Sequence, residues 1–329
     1  MTSPGRVLVT GAGGFIGRWS VPALLRSGHE VHAVLSPNAS RDPPEQLRGA
    51  RLHFADLLDE LAAAELMGRV RPTHLLHFAW IATPGLYWSS AENFRWLAAS
   101  EHLLRCFDAH GGRRVMMAGS CAEYDWSRVE VCDERLSPLA NEGAAANATP
   151  DASSPYAACK IALQSALADF GHRRRVSTAW GRIFFQFGPY EHPDRLVPSV
   201  ISNLLLNREA PVSHGRQIRS FLHVADVGAA FAAVLTSDLE GPVNIGSGER
   251  IALADLVDRI GRRIGRADLL RLGARPSAPG EPPILVPDVH RLCGEAGWQP
   301  SFTLDAALND TIEWWRGRLP GNTNAAGRS

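Results

Sequence analysis

The chain has almost no lysine: Lys160 stands alone among 34 lysine and arginine residues. It has no excess of either charge, because 34 aspartates and glutamates balance the basic side chains. That balance removes the bulk attraction that binders of nucleic acid or anionic membranes usually carry. No apolar run approaches the roughly 18 residues of a membrane span. Cysteine is scarce and unpaired in spacing. Cys106, Cys121, Cys132, Cys159 and Cys293 are odd in number and form no CxxC, so they read as reduced thiols and not as a disulfide frame. His192, His214 and His223 have no carboxylate or thiol partners at ligand spacing, which argues against a metal site. The first residues run into an apolar strand with no room for a signal peptide, so a cytoplasmic protein is expected.

What is present is a 329-residue chain with 45% apolar residues, enough for a large α/β unit and a smaller lobe. Arginine replaces lysine freely on a solvated surface, but not where a compact ammonium with a tunable pKa is needed. The single Lys160 is therefore a place to look for chemistry, although chance retention of one surface lysine is the other reading.

The first 180 or so residues alternate short apolar runs with helical stretches. Strands are expected at Val7–Val9, Val31–Leu35, Leu52–Phe54, Leu75–Phe78, Val115–Ala118 and Val176–Phe185. Long helices are expected over Ala91–Ala109 and Ser154–Phe170. Continuous apolar strands separated by helices predict a doubly wound parallel sheet, with ligands at its carboxyl edge. Residues 1–185 are assigned to this domain, with 223–246 returning to it. Residues 186–222 and 247–317 form a smaller C-terminal lobe, and 318–329 a disordered tail. Asn141–Ser153, rich in small and turn residues, reads as a mobile loop.

Thr10-Gly11-Ala12-Gly13-Gly14-Phe15-Ile16-Gly17 follows the first strand and opens a helix. Gly11 permits a tight turn, Gly14 a close approach of backbone to a pyrophosphate, and Gly17 close packing of helix on sheet. The backbone at Phe15 and Ile16 then presents a helix N-terminus to phosphate oxygens. The second strand ends Leu35-Ser36-Pro37-Asn38 without the acid that would hold an adenosine ribose. Arg41 follows and could pair with a 2′-phosphate, favouring NADP over NAD, unless it is simply solvated loop charge. Asp56-Leu57 lies beyond the third strand, where Asp56 could meet an adenine amino group or cap a helix.

Tyr156 and Lys160 are four residues apart, on one face of a helix opened by Ser153-Ser154-Pro155. The ammonium is expected to lower the phenol pKa, readying Tyr156 to exchange a proton with a carbonyl or alcohol. Ser120 ends the strand before it and can bond the same oxygen.

With these residues in view, the chain resembles the extended short-chain dehydrogenase/reductases, the group of nucleotide-sugar epimerases, dehydratases and ketoreductases. The glycine turn, Asp56-Leu57, His77-Phe78-Ala79 and the set Ser120, Tyr156 and Lys160 are similar to the family's signatures. So are Gly188-Pro189, Gly215–Asp226, Asn244-Ile245-Gly246 and Arg275-Pro276. The resemblance implies that Phe78 and Ala79 line the cofactor and that Arg219 and Arg275 clasp a substrate diphosphate. It also implies a homodimer through the two long helices.

Two departures narrow the chemistry. Members of the family that dehydrate sugars follow the catalytic hydroxyl with Asp-Glu; here Cys121 and Ala122 stand there, and Glu123 is one position too far. Phe185 replaces a usual asparagine, and Trp80 a usual small residue. Cys121, Phe185 and Trp80 are thus candidate substrate contacts, the aromatics favouring a 6-deoxy sugar because an unpaired buried hydroxyl costs roughly 1–3 kcal/mol. Both aromatics could equally be core packing. The expected activity is NAD(P)H-dependent reduction of a nucleoside-diphosphate 4-keto-6-deoxyhexose, the alternative a 4-epimerase that keeps its cofactor. A non-catalytic NADP-binding sensor is a remote third.

Overall fold

The computed structural model describes residues 5–40, 42–137, 139, 154–277 and 280–319. Arg41, the segment 141–153 expected as a mobile loop and residues 320–329 therefore lie outside the described residues. In the first half, β1 (Arg6–Thr10), β2 (Glu30–Leu35), β3 (Arg51–Phe54), β4 (His74–His77) and β5 (Arg114–Ser120) alternate with helices. These are α1 (Gly17–Arg26), α2 (Glu60–Val70) and α3 (Glu92–Ala109). A short strand β6 (Val131–Cys132), α4 (Pro155–Arg174), β7 (Ser177–Ile183) and β8 (Phe185–Phe187) follow.

Then come α5 (Leu196–Leu205), β9 (Ala210–Pro211), β10 (Ile218–Arg219), β11 (Phe221–His223), α6 (Val224–Thr236) and β12 (Gly241–Ile245). The chain closes with β13 (Ile251–Ala252), α7 (Leu253–Ile264), β14 (Leu270–Arg271), β15 (Ile284–Pro287) and α8 (Leu304–Arg316).

Seven parallel strands form the main sheet in the order β12-β7-β5-β4-β1-β2-β3. β1 and β4, which both end at the candidate cofactor edge, are neighbours, with Thr10 beside His77. Strands this apolar need cover on both faces. One face is buried with α1 and α6 around Val7, Val9, Leu24 and Phe231; the other with α2, α3 and α4 around Leu8, Leu75, Leu104 and Leu163. Val224–Thr236 is thus a covering helix, and only Gly241–Ile245 returns to the sheet as a strand.

A separate apolar cluster holds α5, α7 and α8 together around Val200, Ile260 and Leu308. Beside it, β13-β10-β15-β6 form a four-stranded sheet. Its edge strand β6 comes from the first half of the chain, a strand too short to show in the apolar pattern. Arg318, assigned from sequence to a disordered tail, instead lies 3.9 Å from the Trp314 ring, where a flat guanidinium stacks on an aromatic face.

Candidate active site

The glycine turn has the shape that close backbone approach requires. Gly11 sits at φ +63°, and a Cβ on Gly17 would come within 2.3 Å of the Gly11 carbonyl oxygen. A Cβ on Gly14 would meet that same oxygen at 3.0 Å. No side chain caps α1 at Ile16, so its N-terminal turn is left to other partners. The turn therefore fits a dinucleotide diphosphate. Arg18, not singled out in the sequence, folds back over the turn and donates to the carbonyl oxygens of Gly13 and Gly14.

The neighbouring strand end is pinned by a buried chain of bonds. Thr10 Oγ1 and His77 Nδ1 are 2.7 Å apart, and His77 Nε2 and Ser100 Oγ 2.9 Å. Ala79 N–H also donates to Thr10 Oγ1. Burial pushes His77 down to about 3, which makes it a neutral structural group. Phe78 packs edge-on against Phe231. Ser36 follows β2, its hydroxyl accepting from Asn38 N. Asp56 is exposed and accepts from Leu58 N, while Leu57 is buried; the residue that caps α2 is Asp59, not Asp56.

Ser154 caps α4 by accepting from Ala157 N, with Pro155 at the first helical position, where its missing N–H removes no helical bond. The helix then places Lys160 against the end of β5. The ammonium donates to Ala118 O at 2.8 Å and lies 3.8 Å from the centre of a Trp80 ring, and 5.9 Å from that of Tyr156. Burial pulls Lys160 down to about 7, opposed by the charge of Glu123.

Tyr156 departs from expectation in one respect. Its phenol is raised above the ordinary value, not lowered, because loss of solvent outweighs the hydrogen bond from Ser120. The Lys160 ammonium meanwhile donates to Ala118 O and lies over the Trp80 ring. Tyr87 and Trp88, which carry no motif in the sequence, pack edge-on against the Tyr156 ring at 4.9 and 5.5 Å. Two adjacent aromatics in a polar loop, in a chain with four tyrosines, were the available signal.

Ser120 ends β5, and its hydroxyl accepts from Ala122 N in a short helical turn, Cys121–Glu123. Glu123 is fully buried. One carboxylate oxygen accepts from Ser120 N at 2.7 Å; the other accepts from Trp180 Nε1 and Arg182 Nε, each at 2.9 Å. Cys121 packs with Tyr124, Cys132, Phe184 and Leu285, and burial pushes its thiol up to about 12. It is neither an acid–base group nor a reactive thiol at neutral pH.

Arg219 is also buried, and is neutralised within the fold: it donates to Glu281 Oε1 at 2.9 Å and to Ile218 O at 2.8 Å. Gln217 donates to the second oxygen of the same carboxylate. Phe185 lies 5.3 Å from the Arg219 guanidinium and against Phe221. Arg275 is exposed and lines a cavity of about 190 Å³ with Glu281, Ser277, Val212 and Val200. Among the described residues, no three His, Cys, Asp or Glu side chains are grouped to hold a metal.

Comparison with known proteins adds to this geometry. The NAD dependent epimerase/dehydratase family model matches residues 7–246. The dTDP-glucose 4,6-dehydratase of Streptomyces niveus is 28% identical, covering 94% of this chain and 93% of that protein. UDP-glucose 4-epimerase 2 of rice (Oryza sativa subsp. japonica) is 24% identical over 94% of this chain and 81% of its own length. Among solved structures, the UDP-glucose 4-epimerase of Thermus thermophilus in complex with NAD superimposes with a TM-score of 0.77 at 25% identity, covering 95% of this chain and 100% of that one. TunA, an NAD dependent NDP-hexosamine 5,6-dehydratase, gives 0.77 at 25% identity, covering 96% and 99%.

Proposed function

The chain belongs to the NAD-dependent epimerase/dehydratase family, and within it we propose a nucleotide-sugar oxidoreductase that reduces a nucleoside-diphosphate 4-keto-6-deoxyhexose at C4. The observation that carries this reading is the gathering of Ser120, Tyr156 and Lys160 at the carboxyl end of β5, on the same edge of the parallel sheet as the glycine turn after β1. The positions after Ser120 hold a buried thiol and an alanine, and Glu123 is locked against Arg182. That leaves no acid–base pair for removing water across two sugar carbons.

When bound, a nicotinamide dinucleotide would supply the hydride. Tyr156 donates the proton to the sugar oxygen, and its raised pKa suits a group that must arrive protonated. Ser120 orients that oxygen, while Lys160 provides positive charge beneath the phenol. Gly11, Gly14, Phe15, Ile16 and Gly17 would hold the dinucleotide diphosphate, and Ser36, Asp56, Leu57, Phe78 and Ala79 the rest of the cofactor. Arg219 and Arg275 take the substrate diphosphate, with Phe185 beside the sugar. The absence of an acid at the end of β2 favours NADP. Helices α3 and α4 pack together and are the expected dimer face, where Phe94 is 58% exposed. No described helix is long and apolar enough to cross a membrane, and a cytoplasmic enzyme is proposed.

Epimerisation at C4 is the second reading, favoured by the relatives named as UDP-glucose 4-epimerases, one of them in complex with NAD. Absorbance at 340 nm separates the two. Stoichiometric loss of NAD(P)H on adding TDP- or UDP-4-keto-6-deoxyhexose marks a reductase. Interconversion of 4-epimers with no net change marks an epimerase.

A further inference from the structure

Lys160 has an unusual bed for a buried ammonium. Among the described residues its direct hydrogen-bond partner is a neutral carbonyl, and an indole face covers it at 3.8 Å. That indole is itself fixed, because Trp80 Nε1 donates to Asn93 Oδ1 at 2.8 Å. Asn93 is completely buried on the first turn of α3, and its amide nitrogen donates to Tyr87 O and Ser90 O. One side chain thus ties the platform under the lysine to the loop that packs Tyr87 and Trp88 on Tyr156. From sequence Trp80 is a candidate substrate contact or a core residue; in the structure it lies against the lysine.

We infer that Trp80, held by Asn93, is a positioning residue that keeps the Lys160 ammonium charged and in place beside Tyr156, and that the same asparagine fixes the aromatic walls around the phenol. The physical basis is the indole quadrupole. Its negative face attracts a cation most strongly where water is excluded, and so opposes the burial that drives the lysine toward its neutral form. A leucine or methionine fills similar space with no such attraction.

The other groups facing Lys160 are Glu123 from the turn after β5, Cys159 and Tyr156 on its own helix, and His77 from β4. All of them remain in the variants below. The importance of the contact for turnover rests on the functional reading above; its measurement does not.

Because Lys160 is the only lysine, protein grown with 13Cε-lysine gives a single lysine signal, whose shift on pH titration reports the ammonium directly, without substrate or cofactor. Trp80→Met and Trp80→Leu should move the midpoint to lower pH by on the order of one unit, and Trp80→Phe, which keeps an aromatic face, should restore most of it. Asn93→Ala leaves the indole present but untethered and should shift the midpoint the same way by less, which serves if a Trp80 variant does not fold. Midpoints that coincide in native, Phe and Met or Leu proteins, or that stay put in Asn93→Ala, overturn the inference. Retained turnover in Tyr156→Phe would instead overturn the functional reading and leave these midpoints untouched.

Discussion

Lys160 and Arg219 are both buried cations, and the fold holds them in opposite ways. Lys160 rests on a carbonyl oxygen and an indole face, with no directly bonded carboxylate among the described residues to match its charge. Arg219 is already matched by Glu281, itself held by Gln217. A charge left uncancelled acts at once on a phenol or on a ligand hydroxyl nearby. A charge already paired must be released first, so a diphosphate arriving at Arg219 competes with a carboxylate. In this account the proton-transfer side of the site is built in advance, and the phosphate-binding side is exchanged on binding.

The largest test of that contrast is Tyr156→Phe, which removes the proton donor and leaves the glycine turn intact. Turnover should fall by a factor on the order of 10²–10⁴ while NAD(P)H binding, followed by fluorescence titration, persists. The next concerns what makes the first side rigid. Glu123→Ala strips Arg182 of its buried partner and should cost about 3–5 kcal/mol in urea unfolding. A much smaller loss would mean that the Ser120 turn does not depend on this pair.

On the other side, Arg219→Met should raise KM for the nucleotide sugar roughly 10- to 100-fold, with cofactor affinity unchanged, as expected for lost charged hydrogen bonds. Arg275→Ala should cost less, about fivefold at most, because the group is exposed and screened. Equal effects would erase the distinction between a buried and a rim arginine.

The last test is stability in acid. His77 and His74 are held neutral by burial, at about 3 and about 4, well under the ordinary 6.5. Above pH 6.5 neither contributes any pH dependence. As pH falls from 6.5 toward 4, the unfolded chain takes up both protons and the folded one does not, so stability should drop by about 1.4 kcal/mol per pH unit for each histidine. Urea midpoints across that range, with and without His77→Gln, check the slope.

Much of the frame was legible because its rules are local. The spacing of glycines at 11, 14 and 17 needs only the geometry of one turn, and the four-residue step from Tyr156 to Lys160 only the pitch of a helix. What sequence could not show were pairings across long separations. Glu281 meets Arg219 from 62 residues away, and Glu123 meets Arg182 from 59. Nothing in the neighbourhood of Trp80, by sequence a candidate substrate contact or a core residue, reveals that Lys160 folds onto it. The direction of the phenol shift escapes the sequence for a related reason: a charge one helical turn away is visible there, whereas the degree of burial is not.

The hydride itself can be followed. Native protein, given nicotinamide cofactor carrying deuterium at the reducing position and a TDP- or UDP-4-keto-6-deoxyhexose, should place deuterium at C4 of the sugar, while Tyr156→Phe binds the same cofactor and places almost none. Deuterium absent from the sugar with native protein, or delivered equally well without the phenol, would contradict the account.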